Sequence, residues 1–360
     1  MKKAFLLMAL AGMCLLAGCG SKEKETAAAP DVGDQTAQGQ SQTTTAQAAG
    51  DDSKVYEWVI GTHHPETTPA AIAIKDFIED VDKETGGKVK ITFSTGGALG
   101  SQREIIEGVN LGTIDIGYGE TGVYSNYNED LGTLILPFLF DSTEQFYAAM
   151  DGKAGAYYDE LLQGSTNMKI FVWMNGGTRD VYSSKPLDSY EDLKGLKIRT
   201  PESNVYVSLF KALGANPTAI AATEMYSSIQ QGVVEAMEGA VDTAINYKIY
   251  EVADNCLRTS HIFCDCGLVI NKDSWNSLPP ELQEIVGACA DRLETNQRKL
   301  FEELSAEYSS QLVDLGMKFE DGDPEYARAA VKPFVDDFIG QTESRKKLYD
   351  LIQEDIASVK

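Results

Sequence analysis

The sequence predicts a two-lobed α/β protein, and three observations carry that expectation. Short strand-like alternations separated by helical apolar stripes run through residues 55–118. The same grammar returns over residues 168–231. An apolar stripe over residues 282–315 then recurs at threes, fours and sevens, long enough to need two bodies to lie against.

Taken in order, residues 55–60 alternate as a half-buried strand. Thr67-Thr68-Pro69 marks a helix start, with Ile74, Phe77, Ile78 and Val81 at helical spacing and Gly86-Gly87 as the stop. Residues 88–93 form a second strand, residues 101–111 a helix stopped by Gly112, and residues 114–118 a third strand. Strands alternating with helices imply a parallel-type sheet. In the second region the expected elements are strands at 168–173 and 196–199, a helix over 203–213 stopped by Gly214, and a helix over 223–231 stopped by Gly232. Gly176-Gly177, between the two expected lobes, is a place for the backbone to bend. After Pro279-Pro280 the long stripe gives a helix of ~50 Å, stopped by Gly316. The stripe lapses near Asn296, so the alternative is a kink that leaves two ordinary helices.

Residues 1–18 read as a secretory signal peptide. Lys2 and Lys3 precede an apolar run over residues 4–16, shorter than the ~20 residues a bilayer crossing needs. The run ends in Leu16-Ala17-Gly18-Cys19, which resembles the lipobox of bacterial lipoproteins, where small residues admit the signal peptidase and the cysteine thiol receives the lipid. Residues 19–54 therefore form a lipidated Cys19 and a tether, since Val32 is the only large apolar residue between Cys19 and Val55 and no core can form there. Such a chain reaches ~33 Å.

The remaining body of about 300 residues can bury a substantial core, and no further stretch is long and apolar enough to cross a membrane. With 55 Asp and Glu against 31 Lys and Arg, a net charge of −24 and no basic cluster outside the signal, nucleic acid is excluded as a partner. Cys256, Cys264, Cys266 and Cys289 are expected as buried free thiols or one disulfide; Cys264-Asp265-Cys266 has neither the C-x-x-C spacing nor the histidine pair of a zinc site.

Residues 117–122 fit G-x-G-x-x-G after a strand, with Asp141 about twenty residues on. The tyrosine-, asparagine- and acid-rich residues 123–130 carry no helical stripe, and an exported location suits nicotinamide cofactors poorly. No G-x-S-x-G, H-E-x-x-H or P-loop pattern occurs, so neither a cofactor nor a bound metal is expected.

Two segments carry chemistry. Residues 195–201 form a short strand that ends at Arg199, with Pro201 breaking the ladder, and ligands of α/β sheets gather at the carboxyl ends of strands. A guanidinium there is matched to a carboxylate, although an inter-lobe salt bridge or a solvated arginine fits the spacing equally. Asn175-Gly176-Gly177-Thr178-Arg179-Asp180 places a second arginine at a strand junction, where simple neutralisation by Asp180 is the alternative role.

With these segments in view the chain resembles the solute receptors of tripartite ATP-independent periplasmic (TRAP) transporters, the DctP-like family. The similarity runs from about Val55 to Lys360 and is densest from Asp192-Leu193-Lys194-Gly195-Leu196-Lys197-Ile198-Arg199, through Ala212-Leu213-Gly214-Ala215-Asn216-Pro217 and Glu224-Met225-Tyr226, to Gln230-Gln231-Gly232-Val233-Val234-Glu235. It implies a two-lobed, periplasmic-binding-protein-like (type II) fold with a long helix spanning both lobes. Lobe I would comprise residues 55–177 plus about 265–304, and lobe II residues 178–264 plus about 305–360. By the resemblance, Arg199 pairs with the ligand carboxylate and Arg179 assists. Glu120 meets ligand hydroxyl or amine groups, and His63 and His64 lie where relatives contact the ligand. Adjacent residues of an extended chain point opposite ways, so one histidine is expected to face the cleft and the other to pack or meet solvent. After Glu238 the family often carries an asparagine where this chain has Gly239, and Ala222 replaces a larger apolar residue; both changes leave room for a longer acid than the smallest dicarboxylates.

The expected function is capture of a small organic acid, a dicarboxylate, sugar acid or related carboxylate. The acid would pass to the membrane permease of a TRAP-type transporter, with the receptor lipid-anchored on the outer face of the cell membrane. The alternative is a secreted metal-dependent hydrolase or lyase using His63, His64 and Glu120.

Overall fold

The computed structural model describes residues 54–359, so the signal segment 1–18, Cys19 and the tether up to residue 53 lie outside the described residues. Strand β1 (Tyr56–Gly61) buries Trp58 and Ile60 on one face. The Thr68 hydroxyl caps helix α1 (Pro69–Glu84) by accepting the Ala71 N–H at 3.4 Å, and Pro69 sits in the first turn, where its missing N–H has no helical partner anyway. Gly86 and Gly87, both at positive φ, turn the chain into β2 (Val89–Ser94), which lies parallel to β1. Helix α2 (Gln102–Leu111) opens on a capping box between Ser101 and Glu104 and ends at Gly112 with φ 77°. Strand β3 (Ile116–Glu120) runs parallel to β1 and passes straight into the four-residue α3 (Thr121–Tyr124).

The glycines of the 117–122 motif serve packing. A Cβ on Gly117 would lie 2.8 Å from Val109, on Gly119 2.7 Å from the Tyr124 hydroxyl, and on Gly122 2.7 Å from the Tyr206 ring. Their absence lets α2 and two tyrosines close directly on this strand and turn.

Helices α4 (Thr143–Met150) and α5 (Lys153–Ser165) join α2 in an apolar cluster around Phe146, Tyr158 and Trp173. Strand β4 (Met168–Ser183) is ten residues longer than the strand expected over 168–173. The Gly176-Gly177 bend lies inside it as an irregularity, where the pairing register shifts between Asn175 and Thr178 and Gly177 takes φ 80°. A Cβ on Gly177 would meet the Phe301 ring at 2.6 Å.

Strand β5 (Lys197–Thr200), helix α6 (Asn204–Ala212), strand β6 (Asn216–Ala219), helix α7 (Met225–Gln230), strand β7 (Ala236–Ala240) and helix α8 (Val241–Asn246) repeat the alternation. β5 lies between β6 and β7, parallel to both. Of the helix expected over 223–231, the first residues form a 3-10 turn, Ala222–Glu224, ahead of α7. Strand β8 (Asn255–Asn271), helices α9 (Lys272–Ser277) and α10 (Pro280–Asp314), strand β9 (Lys318–Asp321) and helices α11 (Pro324–Gly340) and α12 (Glu343–Ala357) complete the described chain.

The strand order is β2-β1-β3-β8-β4-β7-β5-β6, with β9 against β8. The sheet is mixed, which corrects the parallel-type expectation: β8 runs antiparallel to β3 and β4, and β4 antiparallel to β7. The two long strands pair with each other along most of their length, and each gives one half to the β3 side and the other half to the β7 or β9 side. They link the two lobes. All four cysteines of the body are buried free thiols.

Helix α10 is continuous over 35 residues, or ~52 Å, without the alternative kink. Its first half buries Leu282, Val286 and Leu293 in the core around Trp58 and Phe77. Leu312 near its end enters a separate core with Tyr182, Met225 and Met237. The stripe lapses in between because a polar residue is needed there. Gln297, 1% exposed, accepts the Asn175 N–H at 2.9 Å and donates to the Asn175 carbonyl at 2.8 Å, clamping the backbone beside the β4 irregularity. Gln297→Leu is expected to strand that backbone pair and lower stability by about 2 kcal/mol, measurable by urea denaturation.

Candidate functional site

The site forms where the carboxyl ends of β3 and β5 meet the middle of β4 and β8. Alternation along β5 sends Ile198 into the apolar core and Arg199 to a pocket lined by Gln102, Glu120, Glu202, Tyr206 and Ala222. Arg199 is 4% exposed, and its Nε donates to the Ile220 carbonyl at 2.8 Å. Among the described residues it forms no ion pair. Burial and the neighbouring Arg179 push its pKa below the usual arginine value, with Glu238 and Glu120 opposing. A buried guanidinium with unused donors favours an anion.

Arg179 sits differently. Its Nε and Nη2 form a fork on Glu238 at 2.6 and 2.8 Å, and its Nη1 reaches Glu120 at 3.0 Å. The guanidinium also lies 5.0 Å over the Tyr206 ring. Burial disfavours its charge, but Glu120 and Glu238 outweigh that and hold its pKa well above the usual value. Glu238, fully buried on β7, is kept at about 2, with Arg179 and the hydrogen bond from His261 overcoming desolvation. Asp180, one residue on and facing the other side of β4, accepts the Thr259 and Ser260 N–H groups at an irregularity in β8 where Ser260 has φ 41°. Glu238 and Glu120, and not Asp180, therefore neutralise Arg179.

The expectation for the histidines needs correction. His63 and His64 are both buried, with ring centroids 4.3 Å apart. Strand alternation stops at Gly61, and the chain bends at both histidines, so the period-2 rule no longer separates them. His64 packs edge-on against Tyr118 at 4.9 Å, and Tyr247 donates its hydroxyl to the His63 carbonyl at 3.1 Å. Burial pushes both imidazoles down, His64 to about 4, so both are neutral at pH 7. One donor atom from each of His63, His64 and Glu120 lies within 4.8 Å of the others.

Of the two small residues, Ala222 lines the Arg199 pocket, whereas a Cβ on Gly239 would face Met237 and Thr243 at 3.3 and 3.5 Å. Sequence reasoning missed Tyr118, Tyr206, Tyr247 and Asp242. The buried Asp242 carboxyl is raised to about 6 by desolvation and by Glu120. These residues arrive on elements whose only sequence signal is an aromatic or acid in a short apolar run. Two roomier cavities, about 330 and 230 Å³, adjoin α11, but their arginines, Arg328 and Arg345, are already paired with Asp141 and with Glu129 and Asp130.

A two-lobed α/β body with a buried guanidinium that has no acid partner among the described residues, placed where strands β3, β4, β5 and β8 converge, suits a receptor for a small anionic solute. The chain matches the DctP description, bacterial extracellular solute-binding protein family 7, over residues 60–341, and belongs to that family of TRAP transporter receptors. The 2,3-diketo-L-gulonate-binding periplasmic protein of Escherichia coli is 31% identical over 259 residues, 72% of this chain and 77% of its own. A TRAP periplasmic solute binding protein from a Sulfitobacter species, solved with bound β-D-galacturonate, matches with a TM-score of 0.80 at 29% identity, over 83% of this chain and 99% of its own. Its counterpart from Pseudomonas putida, with bound D-glucuronate, gives 0.78 at 26% identity, over 81% and 96%. The family consists of binding proteins, not enzymes, and the hydrolase or lyase alternative gives way to it.

Proposed function

We propose that this receptor captures a sugar acid carrying one carboxylate, of the hexuronate class, and delivers it to a TRAP-type permease. The observation that carries the reading is Arg199, the buried cation for which the described residues supply no acid. A single free guanidinium suits one carboxylate better than two, because Arg179 is already saturated by Glu238 and Glu120. Glu120 lines the Arg199 pocket, and the neutral His63 and His64 lie beside Glu120 with the Tyr118 and Tyr247 rings against them; His63 and Tyr247 also feel the Arg199 charge, and together these groups offer polar atoms suited to hydroxyl groups. The galacturonate and glucuronate in the solved relatives support the same class. In this reading Arg199 holds the carboxylate and Arg179 is positioned by Glu238. His63, His64 and Glu120 meet the hydroxyl-bearing end, and Ala222 leaves space around the ligand, whereas Gly239 faces Met237 and Thr243. The lobes, 55–177 plus about 265–304 and 178–264 plus about 305–360, close over it. Lipid on Cys19 would keep the receptor at the outer face of the cell membrane within reach of its permease.

The test is a thermal-unfolding panel of D-glucuronate, D-galacturonate, gluconate and succinate. A uronate at 100 times its dissociation constant should stabilise the fold by about 2.7 kcal/mol. Stabilisation by succinate and not by either uronate would sink the reading. Membrane release after Cys19→Ser, with the protein otherwise exported, checks the anchor.

A further inference from the structure

Among the buried polar side-chain atoms of the described residues that lack a partner, three belong to one pair of residues: His63 Nδ1, His64 Nδ1 and His64 Nε2. Burying such atoms unpaired is unfavourable, and a cluster of them points to something that binds there. Beside them stands Glu120, whose Oε2 engages Arg179 and whose Oε1 makes no hydrogen bond among the described residues. Glu120 also lines the Arg199 pocket. The fork of Glu238 on Arg179 already offsets that guanidinium, which leaves Glu120 with charge to share.

The donor atoms of His63, His64 and Glu120 lie within 4.8 Å of one another. Two donors bound to one zinc-sized ion at about 2.0–2.2 Å stand about 3.4 Å apart in tetrahedral geometry, so small side-chain rotations close the difference. Two imidazoles and one carboxylate on one side of an ion, with the remaining positions open, form a donor set suited to divalent zinc, cobalt or iron. We propose that His63, His64 and Glu120 bind one divalent transition-metal ion, whose open positions face the Arg199 pocket and are completed by oxygen atoms of the captured acid. The ion acts as an added recognition element, and no bond of the acid is made or broken. Completion by the acid rests on the receptor reading above; the three-residue metal site does not.

The experiment begins with chelator-treated protein and metal alone. Titration with Co²⁺ should show one ion per chain by visible d–d absorption. A zinc-soaked crystal should give a single anomalous peak within about 2.0–2.3 Å of a nitrogen of each histidine and an oxygen of Glu120. His64→Asn should weaken Co²⁺ binding at least a hundredfold, and the crystal experiment on the unaltered protein keeps the test valid if that variant folds poorly. No saturable binding, binding unchanged in His64→Asn, or a peak elsewhere overturns the site. Adding D-glucuronate should raise Co²⁺ affinity about tenfold and alter the absorption bands; an unchanged spectrum overturns the shared coordination. Glucuronate binding is measured both in EDTA and with saturating Co²⁺: the ion should tighten it about tenfold, and failure under both conditions with Co²⁺ binding intact removes the receptor function and leaves the metal site standing.

Discussion

Arg199→Ala is expected to raise the dissociation constant for a uronate by about 30-fold to several thousandfold, corresponding to ~2–5 kcal/mol for one partner of a buried, hydrogen-bonded charge pair. The stability of the empty protein should move little, or rise. Arg199 is buried without an acid among the described residues, so its removal deletes a desolvated charge and breaks one hydrogen bond, to Ile220. That combination separates a ligand anchor from a structural arginine, which would lose stability and affinity together. Arg199→Lys should fall between, since an ammonium keeps the charge but cannot fork onto both carboxylate oxygens. Calorimetry gives the affinities and urea denaturation the stabilities. Binding as tight as that of the unaltered protein in the alanine variant would place the carboxylate elsewhere.

Much of the scaffold was legible because its signals are local. The Thr68-Pro69 start of α1, the Ser101 and Glu104 box of α2, the alternation of β5 and the stripe of α10 each act within a few residues. Arg199 was legible for the same reason, since a strand that ends before a proline places its last residues at the sheet's carboxyl edge. The pairing that decides the role of Arg179 was not. Glu120 and Glu238 each lie 59 positions from Arg179; Glu238 reaches it because β7 pairs directly with β4, and Glu120 because β8, whose 17 residues carry no clean alternation, brings β3 alongside. The lapse near Asn296 was visible but open to two readings. Only the contact of Gln297 with Asn175 distinguishes a break in the helix from a polar clamp on a strand. The histidine pair failed the period-2 rule because the chain had already left β1 and bent.

Glu238 carries the second large effect, and it is a stability effect. Glu238→Ala would leave Arg179 buried with Glu120 as its only remaining acid among the described residues and His261 with Thr259 but no carboxylate, and is expected to cost about 3–5 kcal/mol at pH 7. The Glu238 carboxyl is held at about 2, below the ordinary 4.5, because Arg179 and His261 overcome the penalty of burial. With its folded pKa depressed, the unfolded chain takes up the proton first as pH falls. The stabilisation is therefore complete above about 4.5 and is lost between there and about 2. Glu238→Gln keeps the shape and one acceptor but has no proton to gain, so this part of the acid dependence should vanish in it. Urea denaturation at pH 7, 4.5 and 3 gives the comparison. The stability gap between the unaltered protein and Glu238→Gln should be constant from pH 7 to about 5 and narrow as pH drops to 3, because protonation brings the native carboxyl toward the amide's charge state. A gap of equal size at pH 7 and pH 3 would mean that the Glu238 charge does not stabilise the fold and that Arg179 is held by Glu120 and packing alone.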